Sequence, residues 1–143
     1  MYWLYLDTST FVKLYVRESG SEEARSLVKK GRILSSTILI LESFSALSRK
    51  KRIREIDGKI FKNLVVQIKA DLEYITIIRL SEEVLKKAES IALYSEARAL
   101  DAIHVASAMI FKEGSNTRLS FVTSDRKQQQ VANSQGIDTF FVG

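Results

Sequence analysis

Residues 2–6 read Tyr2-Trp3-Leu4-Tyr5-Leu6, an unbroken apolar run that is followed directly by Asp7. A strand with one solvated face alternates apolar and polar residues, whereas a strand covered on both faces is apolar throughout. The run therefore predicts a strand inside a sheet that carries helices on both faces. Such strands are typical of parallel sheets in α/β proteins.

Outward from this run, strand-like and helix-like stretches alternate along the chain. Further strands are predicted at residues 33–36, 75–78, 119–123 and 139–142. Helices are predicted at residues 8–17, 21–30, 38–52, 55–72, 81–94, 99–112 and 126–134. This alternation favours a parallel sheet between two helical layers, so the sequence predicts a three-layer α/β/α sandwich.

Two features of the predicted helices add detail. Residues 99–112 leave little polar face, so this helix should be covered by other elements rather than lie on the surface. Gly31, Gly114 and Gly136 each follow a predicted helix and precede a predicted strand. We expect these glycines at helix C-termini, where glycine adopts a left-handed backbone at little cost.

Composition limits the chemistry that is possible. The chain has 143 residues, one His, no Cys and a formal net charge of +5. Without cysteine there is no disulfide, zinc–thiolate site or cysteine nucleophile, and a single histidine argues against zinc. The length fits one domain over residues 1–143. Without a signal-like or membrane-spanning stretch we expect a cytoplasmic protein, and the positive charge favours a polyanion such as RNA.

Four acidic residues stand in positions that are unusual for solvated carboxylates. Asp7 and Asp125 follow predicted strands, and ligands of open α/β sheets bind beyond the carboxyl ends of strands. Either aspartate could instead be a helix N-cap. Glu42 lies among apolar residues, where a salt-bridged or extended Glu is the alternative. Asp101 lies in the first turn of an apolar helix, where a simple pair with Arg98 is the alternative.

Taken together, the four acids favour a divalent metal site. Two carboxylates about 4 Å apart repel by roughly 4 kcal/mol at an effective dielectric of about 20. A bound cation removes this penalty, and Mg²⁺ or Mn²⁺ prefers carboxylate oxygens and water. Such a metal can activate water and stabilise the charge of a displaced phosphate ester. A basic protein with an acidic metal pocket therefore suggests cleavage of phosphodiesters.

The segments around these acids also carry a resemblance. They are Leu6-Asp7-Thr8-Ser9, Leu41-Glu42, Arg98-Ala99-Leu100-Asp101-Ala102-Ile103-His104-Val105-Ala106-Ser107-Ala108, and Val122-Thr123-Ser124-Asp125 followed by Gly136. In order and spacing they resemble the PIN domain family, and within it the VapC-type toxins of prokaryotic toxin–antitoxin pairs. The resemblance covers essentially the whole chain. It implies a five-stranded parallel sheet and a metal-dependent endoribonuclease.

The resemblance also implies roles for residues and partners. The catalytic, metal-binding acids would be Asp7, Glu42, Asp101 and Asp125. Thr123 and Ser9 would be auxiliary residues, Mg²⁺ the cofactor with Mn²⁺ as a substitute, and RNA, a small antitoxin protein and a second copy of the chain the partners. Family members often carry a further acid after the last Asp, where this chain has Arg126 and Lys127. This departure favours one metal ion over two.

Basic and imidazole side chains leave alternatives open. Candidate contacts to RNA phosphates are Arg98, Arg49, Lys50, Lys51 and Arg52. The cluster 49–54 could instead be a solvated helix end that the helix dipole favours, and Arg98 could orient Asp101. His104 could be a general base, but we expect a hydrogen-bonded core residue.

The leading hypothesis is a Mg²⁺-dependent endoribonuclease that acts as the toxin of a toxin–antitoxin pair. The alternative is a non-catalytic RNA-binding or protein-interaction module on the same fold, which would keep the basic surface without needing four convergent acids. A small-molecule phosphatase is a third reading.

Overall fold

The computed structural model describes residues 2–143, which form a five-stranded sheet with helices on both sides. The strands are β1 (Tyr2–Leu6), β2 (Arg32–Ser36), β3 (Thr76–Ile78), β4 (Arg118–Thr123) and β5 (Asp138–Phe141). Their order is β3-β2-β1-β4-β5, and every neighbouring pair is parallel. The predicted α/β sandwich with a five-stranded parallel sheet is confirmed.

The helices follow the predicted alternation. They are α1 (Thr8–Lys13), α2 (Ser21–Leu27), α3 (Ile38–Arg52), α4 (Gly58–Asp71), α5 (Glu82–Tyr94), α6 (Ala99–Ser115) and α7 (Arg126–Ser134). Short 3₁₀ turns at Val28–Lys30 and Leu72–Tyr74 follow α2 and α4. Helix α1 is shorter than the predicted 8–17, because the two backbone N–H groups after Lys13 bond to carbonyls three residues back and tighten the chain out of the α-helix.

The expectation for the glycines is right at one position and wrong at two. Gly136 ends α7 with a φ of 80°, in the left-handed region. Gly114 lies inside α6, which ends instead at Asn116 with a φ of 52°, a conformation that Asn tolerates. Gly31 is extended, with a φ of −164°. A Cβ at Gly31 would lie 2.8 Å from the carbonyl oxygen of Tyr2, so close packing against β1 explains this glycine.

The central strand β1 separates two cores. Tyr5 packs with Phe121 on the face covered by α5, α6 and α7. Leu4 and Leu6 point to the opposite face, which α1 to α4 cover. Leu4, Tyr5 and Leu6 are each 0% exposed, so this half of β1 is covered on both faces as predicted. Helix α6 is covered as predicted, with four fully or almost fully buried apolar residues: Ala102, Val105, Ala106 and Ala108.

The topology brings three chain segments to one edge of the sheet. Strands β1 and β4 pair with Leu6 opposite Val122, so their carboxyl ends lie side by side. The backbone N–H of Asp7 then bonds to the Val122 carbonyl at 3.3 Å. Strand β2 flanks β1 on its other side and leads into α3. No helix within residues 2–143 is long and apolar enough to span a membrane.

Candidate active site

Asp7 lies immediately after β1 and is 4% exposed. Its Oδ1 caps α1 by accepting the Thr10 backbone N–H at 3.2 Å, and it also accepts the Ser9 hydroxyl at 2.6 Å. Its Oδ2 accepts the Thr123 hydroxyl at 2.6 Å. Burial raises the pKa of Asp7, although the nearby His104 and these hydrogen bonds oppose the rise. The N-cap interpretation of Asp7 is thus correct, and Oδ2, which accepts one hydrogen bond, keeps lone-pair capacity for a further partner.

Thr123 and Ser9, predicted as auxiliary residues, connect Asp7 to the segment that carries Asp125. The Thr123 hydroxyl donates to Asp7 and accepts the backbone N–H of Asp125 at 3.0 Å. The Ser9 hydroxyl donates to Asp7 and accepts the backbone N–H of Ser124 at 3.0 Å. The two hydroxyls therefore fix the carboxyl end of β4 against the carboxyl end of β1.

Asp125 is the N-cap of α7. Its Oδ1 accepts the backbone N–H groups of Lys127 at 2.9 Å and Gln128 at 3.4 Å. Gln128 is 2% exposed, and its side-chain amide donates to the Asp101 backbone carbonyl at 3.1 Å. Gln128 was not predicted from sequence, and it ties the helix that Asp125 caps to the first turn of α6.

Asp101 is the acid whose carboxylate has the fewest hydrogen-bond and ion-pair partners. It is half-buried in the first turn of α6, and within residues 2–143 its carboxylate makes no ion pair and accepts no hydrogen bond. Burial raises the pKa of Asp101, and the negative charges of Asp125, Asp7 and Glu42 raise it further, while His104 opposes them. The four acids therefore lie within one electrostatic environment.

The pair between Arg98 and Asp101, weighed as an alternative, is wrong for this structure. Arg98 is the N-cap of α6 with an extended backbone, φ −73° and ψ 164°, rather than a residue of the helical face. In the described part of the chain no ion pair joins Arg98 to Asp101. Arg98 is exposed near the site.

Glu42 is joined to His104 rather than extended into solvent. Its Oε1 accepts the Thr8 hydroxyl at 2.6 Å and lies 2.7 Å from His104 Nε2. Burial acts to raise the pKa of Glu42, but the hydrogen bond and charge of His104 and the bond from Thr8 lower it overall. His104 is 1% exposed, with Nδ1 2.7 Å from the Tyr5 hydroxyl, which confirms the expected hydrogen-bonded core histidine.

The donors fit a divalent cation in chemistry but do not form a ready-made site. Carboxylate oxygens suit Mg²⁺, and the Asp101 carboxylate has no ion-pair or hydrogen-bond partner within residues 2–143. Across residues 2–143, however, no three acidic or histidine side chains come close enough to form a metal cluster. Oxygens of Asp7 and Glu42 are already held by hydroxyl or imidazole groups. Mg²⁺ is usually held by one or two carboxylates besides water and substrate phosphate.

A groove of about 450 Å³ runs along α3 beside Glu42. It is lined by Thr8, Leu41, Glu42, Ser45, Ala46, Arg49, Arg52 and Leu100. The predicted basic cluster divides at this groove, because Arg49 and Arg52 line it whereas its two lysines are engaged elsewhere. Lys50 pairs with Glu18 and Glu55, at 3.4 and 3.1 Å. Lys51 lies over the Phe61 ring at 4.9 Å.

Several solved structures superpose on the chain over most of their length. FitAcB of Neisseria gonorrhoeae superposes with a TM-score of 0.70 at 17% identity, over 96% of each chain. A toxin–antitoxin complex of Klebsiella pneumoniae gives 0.64 at 16% identity, over 88% of this chain and 89% of that one. VapC20 of Mycobacterium tuberculosis, described as a toxin that cleaves the sarcin–ricin loop, gives 0.64 at 14% identity, over 89% and 93%.

At these identities the structural likeness establishes a shared fold. No curated protein sequence matches the chain at a significant level. The family model of the PIN domain, in contrast, matches residues 4–134, which include all four acids and their hydroxyl and imidazole partners. The chain therefore belongs to the PIN domain family.

Proposed function

We propose that the protein is a Mg²⁺-dependent endoribonuclease of the toxin type, with Asp7, Glu42, Asp101 and Asp125 as its catalytic, metal-binding acids. The observation that carries the proposal is Asp101, a half-buried carboxylate without a compensating donor in the field of the other three acids. Membership of the PIN family supports it. So does the likeness to VapC20, an RNA-cleaving toxin by its description.

The residues of the site would have separate roles in binding the cation and in orienting the acids. A cation bound by the acids would supply charge neutralisation and activation of water at the phosphodiester. Ser9 and Thr123 orient the Asp7 carboxylate through its two oxygens. Gln128 holds α7 against α6, which keeps Asp125 beside Asp101. Because Arg126 and Lys127 follow Asp125, we favour one metal ion, with Mn²⁺ able to replace Mg²⁺.

The substrate contacts belong to the groove beside Glu42. Glu42, Ser45, Arg49 and Arg52 recur on one side of α3, and Arg49 lies about 10 Å along the helix axis from Glu42. A single RNA strand with one phosphate at the acids would bring a neighbouring phosphate to the arginines. Arg98 is exposed close to the same acids and is a further candidate contact. Lys50 and Lys51 suit this role less, since neither of them lines the groove.

Exposed apolar residues support the proposed protein partners. Leu41 and Leu100, at 76% and 46% exposure, flank the groove. Leu85 and Leu93 on α5 are 45% and 68% exposed. Such residues are suited to protein interfaces, so we include a small antitoxin and a second copy of the chain among the proposed partners. We also propose that the protein acts in the cytoplasm.

The proposal is tested by RNA cleavage and Mn²⁺ binding measured on the same preparation. The purified chain should cut single-stranded RNA in Mg²⁺, lose this activity in excess chelator and bind Mn²⁺ saturably. A non-catalytic RNA-binding module on this fold would bind RNA but show neither cleavage nor a saturable metal site. Hydrolysis of a generic phosphomonoester without RNA cleavage would instead favour a phosphatase.

Neutralising both groove arginines should weaken RNA binding and its salt dependence. In an inactive Asp7→Asn background, Arg49→Gln with Arg52→Gln removes two phosphate contacts. The slope of log affinity against log salt should therefore become shallower by about 1.4. Binding is measured by fluorescence anisotropy of a labelled RNA at several salt concentrations.

The matched control is Arg32→Gln with Arg118→Gln. These two arginines are exposed at the amino ends of β2 and β4, away from the acids. Their replacement lowers the net charge by the same amount as replacement of the groove arginines. An unchanged slope in the groove variant, or an equal change in both variants, would remove Arg49 and Arg52 from the substrate path.

A further inference from the structure

A buried line of hydrogen bonds runs from the core out to Glu42. The Tyr5 hydroxyl lies 2.7 Å from His104 Nδ1, and His104 Nε2 lies 2.7 Å from Glu42 Oε1. Tyr5 and His104 are 0% and 1% exposed. Water therefore cannot reach His104 to replace either bond.

The direction of these bonds follows from the donors and acceptors. A carboxylate only accepts hydrogen bonds, so Nε2 of His104 must carry the hydrogen that it shares with Glu42. In the neutral ring Nδ1 accepts the Tyr5 hydroxyl, and in the charged ring Nδ1–H donates to the same oxygen, so Nε2 donates to Glu42 in either state. Both ring nitrogens of His104 therefore have a hydrogen-bond partner in this arrangement.

The histidine ring is also held by packing. It meets the Tyr5 ring edge to face at 5.7 Å, and Tyr5 stacks on Phe121 at 5.1 Å. A ring held by packing and by a hydrogen bond at each nitrogen has no free rotation. His104 therefore presents a fixed donor to Glu42.

The fixed donor leaves the two oxygens of Glu42 unequal. Oε1 is occupied by His104 and by the Thr8 hydroxyl at 2.6 Å. Oε2 accepts no hydrogen bond from any residue in the range 2–143. Without His104 and Thr8 the carboxylate could turn freely about its last torsion, which is broad for Glu.

We propose that His104 is a positioning residue for Glu42, which it holds by Oε1 so that Oε2 remains available to the metal ion. The proposal rests on the proposed function and deepens it. Partners that orient metal-binding carboxylates typically change metal affinity by 10- to 100-fold when they are removed. Neither Tyr5 nor Thr8 was predicted from sequence, and both support His104 in this role.

A double-mutant cycle on Mn²⁺ affinity tests the inference without relying on activity. We expect His104→Phe, which keeps a ring but removes both nitrogens, to weaken Mn²⁺ binding by about 10- to 100-fold. In a Glu42→Gln background the same change should cost less than about 2-fold, because no metal-binding carboxylate remains to be oriented. His104→Gln, whose side-chain amide can donate to Glu42, should recover part of the affinity.

Two further variants separate positioning from folding. Val105→Ala removes buried volume from the neighbouring position of α6 and should lower thermal stability without changing Mn²⁺ affinity. If His104→Phe does not fold, Tyr5→Phe replaces it, because it removes only the hydroxyl that anchors the ring. It should weaken Mn²⁺ binding in the wild-type background and not beside Glu42→Gln.

The outcomes distinguish this inference from the proposed function. Wild-type affinity in the His104 variant, or an equal loss with and without Glu42→Gln, overturns the positioning role and leaves the nuclease proposal standing. Absence of any saturable Mn²⁺ binding by the unmodified chain overturns both.

Discussion

The Asp101→Asn variant is expected to lose RNA cleavage by a factor on the order of 10³ or more while remaining folded. Asn matches Asp in shape but carries no charge. The Asp101 carboxylate accepts no hydrogen bond within residues 2–143, and the charges of Asp125, Asp7 and Glu42 disfavour its ionised form, so we attribute its role to cation binding. Initial rates of cleavage of a labelled single-stranded RNA in Mg²⁺ measure the effect.

Stability of the same variant provides an internal control. Because the pKa of Asp101 is raised, its ionised form disfavours folding at neutral pH, and this penalty disappears as the pH falls through that pKa. Asn carries no charge, so it removes this cost to folding at every pH. The melting temperature of the metal-free variant should therefore equal that of the unmodified chain or lie slightly above it. Glu82→Gln, in the first turn of α5, is the matched control and should keep full activity. Full cleavage by Asp101→Asn would exclude Asp101 from the site.

The Asp7→Asn variant should lose cleavage to a similar degree, which separates the role of this residue in catalysis from its role as a cap. Asn caps helices about as well as Asp, so α1 should keep its N-terminus. The charge that Ser9 and Thr123 orient is lost. Cleavage rates and circular dichroism measured on one preparation report the two roles independently.

Asp57 offers the matched control for Asp7. It caps α4 through the Ile60 backbone N–H at 2.8 Å and is exposed. Asp57→Asn makes the same chemical change at a helix N-cap and should leave cleavage unchanged. If Asp7→Asn cleaved RNA as fast as Asp57→Asn and the unmodified chain, Asp7 would serve only as a cap.

Much of the fold could be predicted because its determinants are local. A fully apolar five-residue run leaves few alternatives to a covered strand, and the apolar α6 leaves few alternatives to a covered helix. Element ends were less predictable. The left-handed end of α6 is at Asn116 rather than Gly114, and Asn is the other residue that tolerates this conformation.

The placement of Ser9 and Thr123 beside Asp7 fits their prediction as auxiliary residues, but the contacts that hold Glu42 were not predictable from sequence. Asp7 and Asp125 are recognisable because they follow strands that prove to be neighbours. The bond between His104 and Tyr5 joins residues 99 positions apart, and the bond between His104 and Glu42 joins residues 62 apart. No local pattern encodes such pairs. The Arg98–Asp101 pair failed for a related reason, since helical spacing was assumed for a residue that lies just outside the helix.

Local sequence also could not predict which residues of the basic cluster 49–54 line the groove. Residues 49–54 are alike in composition, yet only the arginines at positions 49 and 52 line the groove beside Glu42. Lys50 is drawn to Glu18, 32 residues away, and to Glu55. Which cation remains available for RNA therefore depends on tertiary contacts that composition does not reveal.

A calorimetric titration of the unmodified chain and of Asp101→Asn with Mn²⁺ tests the central claim most directly. A carboxylate metal site in the unmodified chain predicts saturable binding with about one ion per chain, since Mg²⁺-type sites use few protein ligands. Asp101→Asn should bind at least about tenfold more weakly, and Glu82→Gln should bind as the unmodified chain does. Absence of saturable binding, or equal affinity in all three proteins, would contradict a metal site built on these acids.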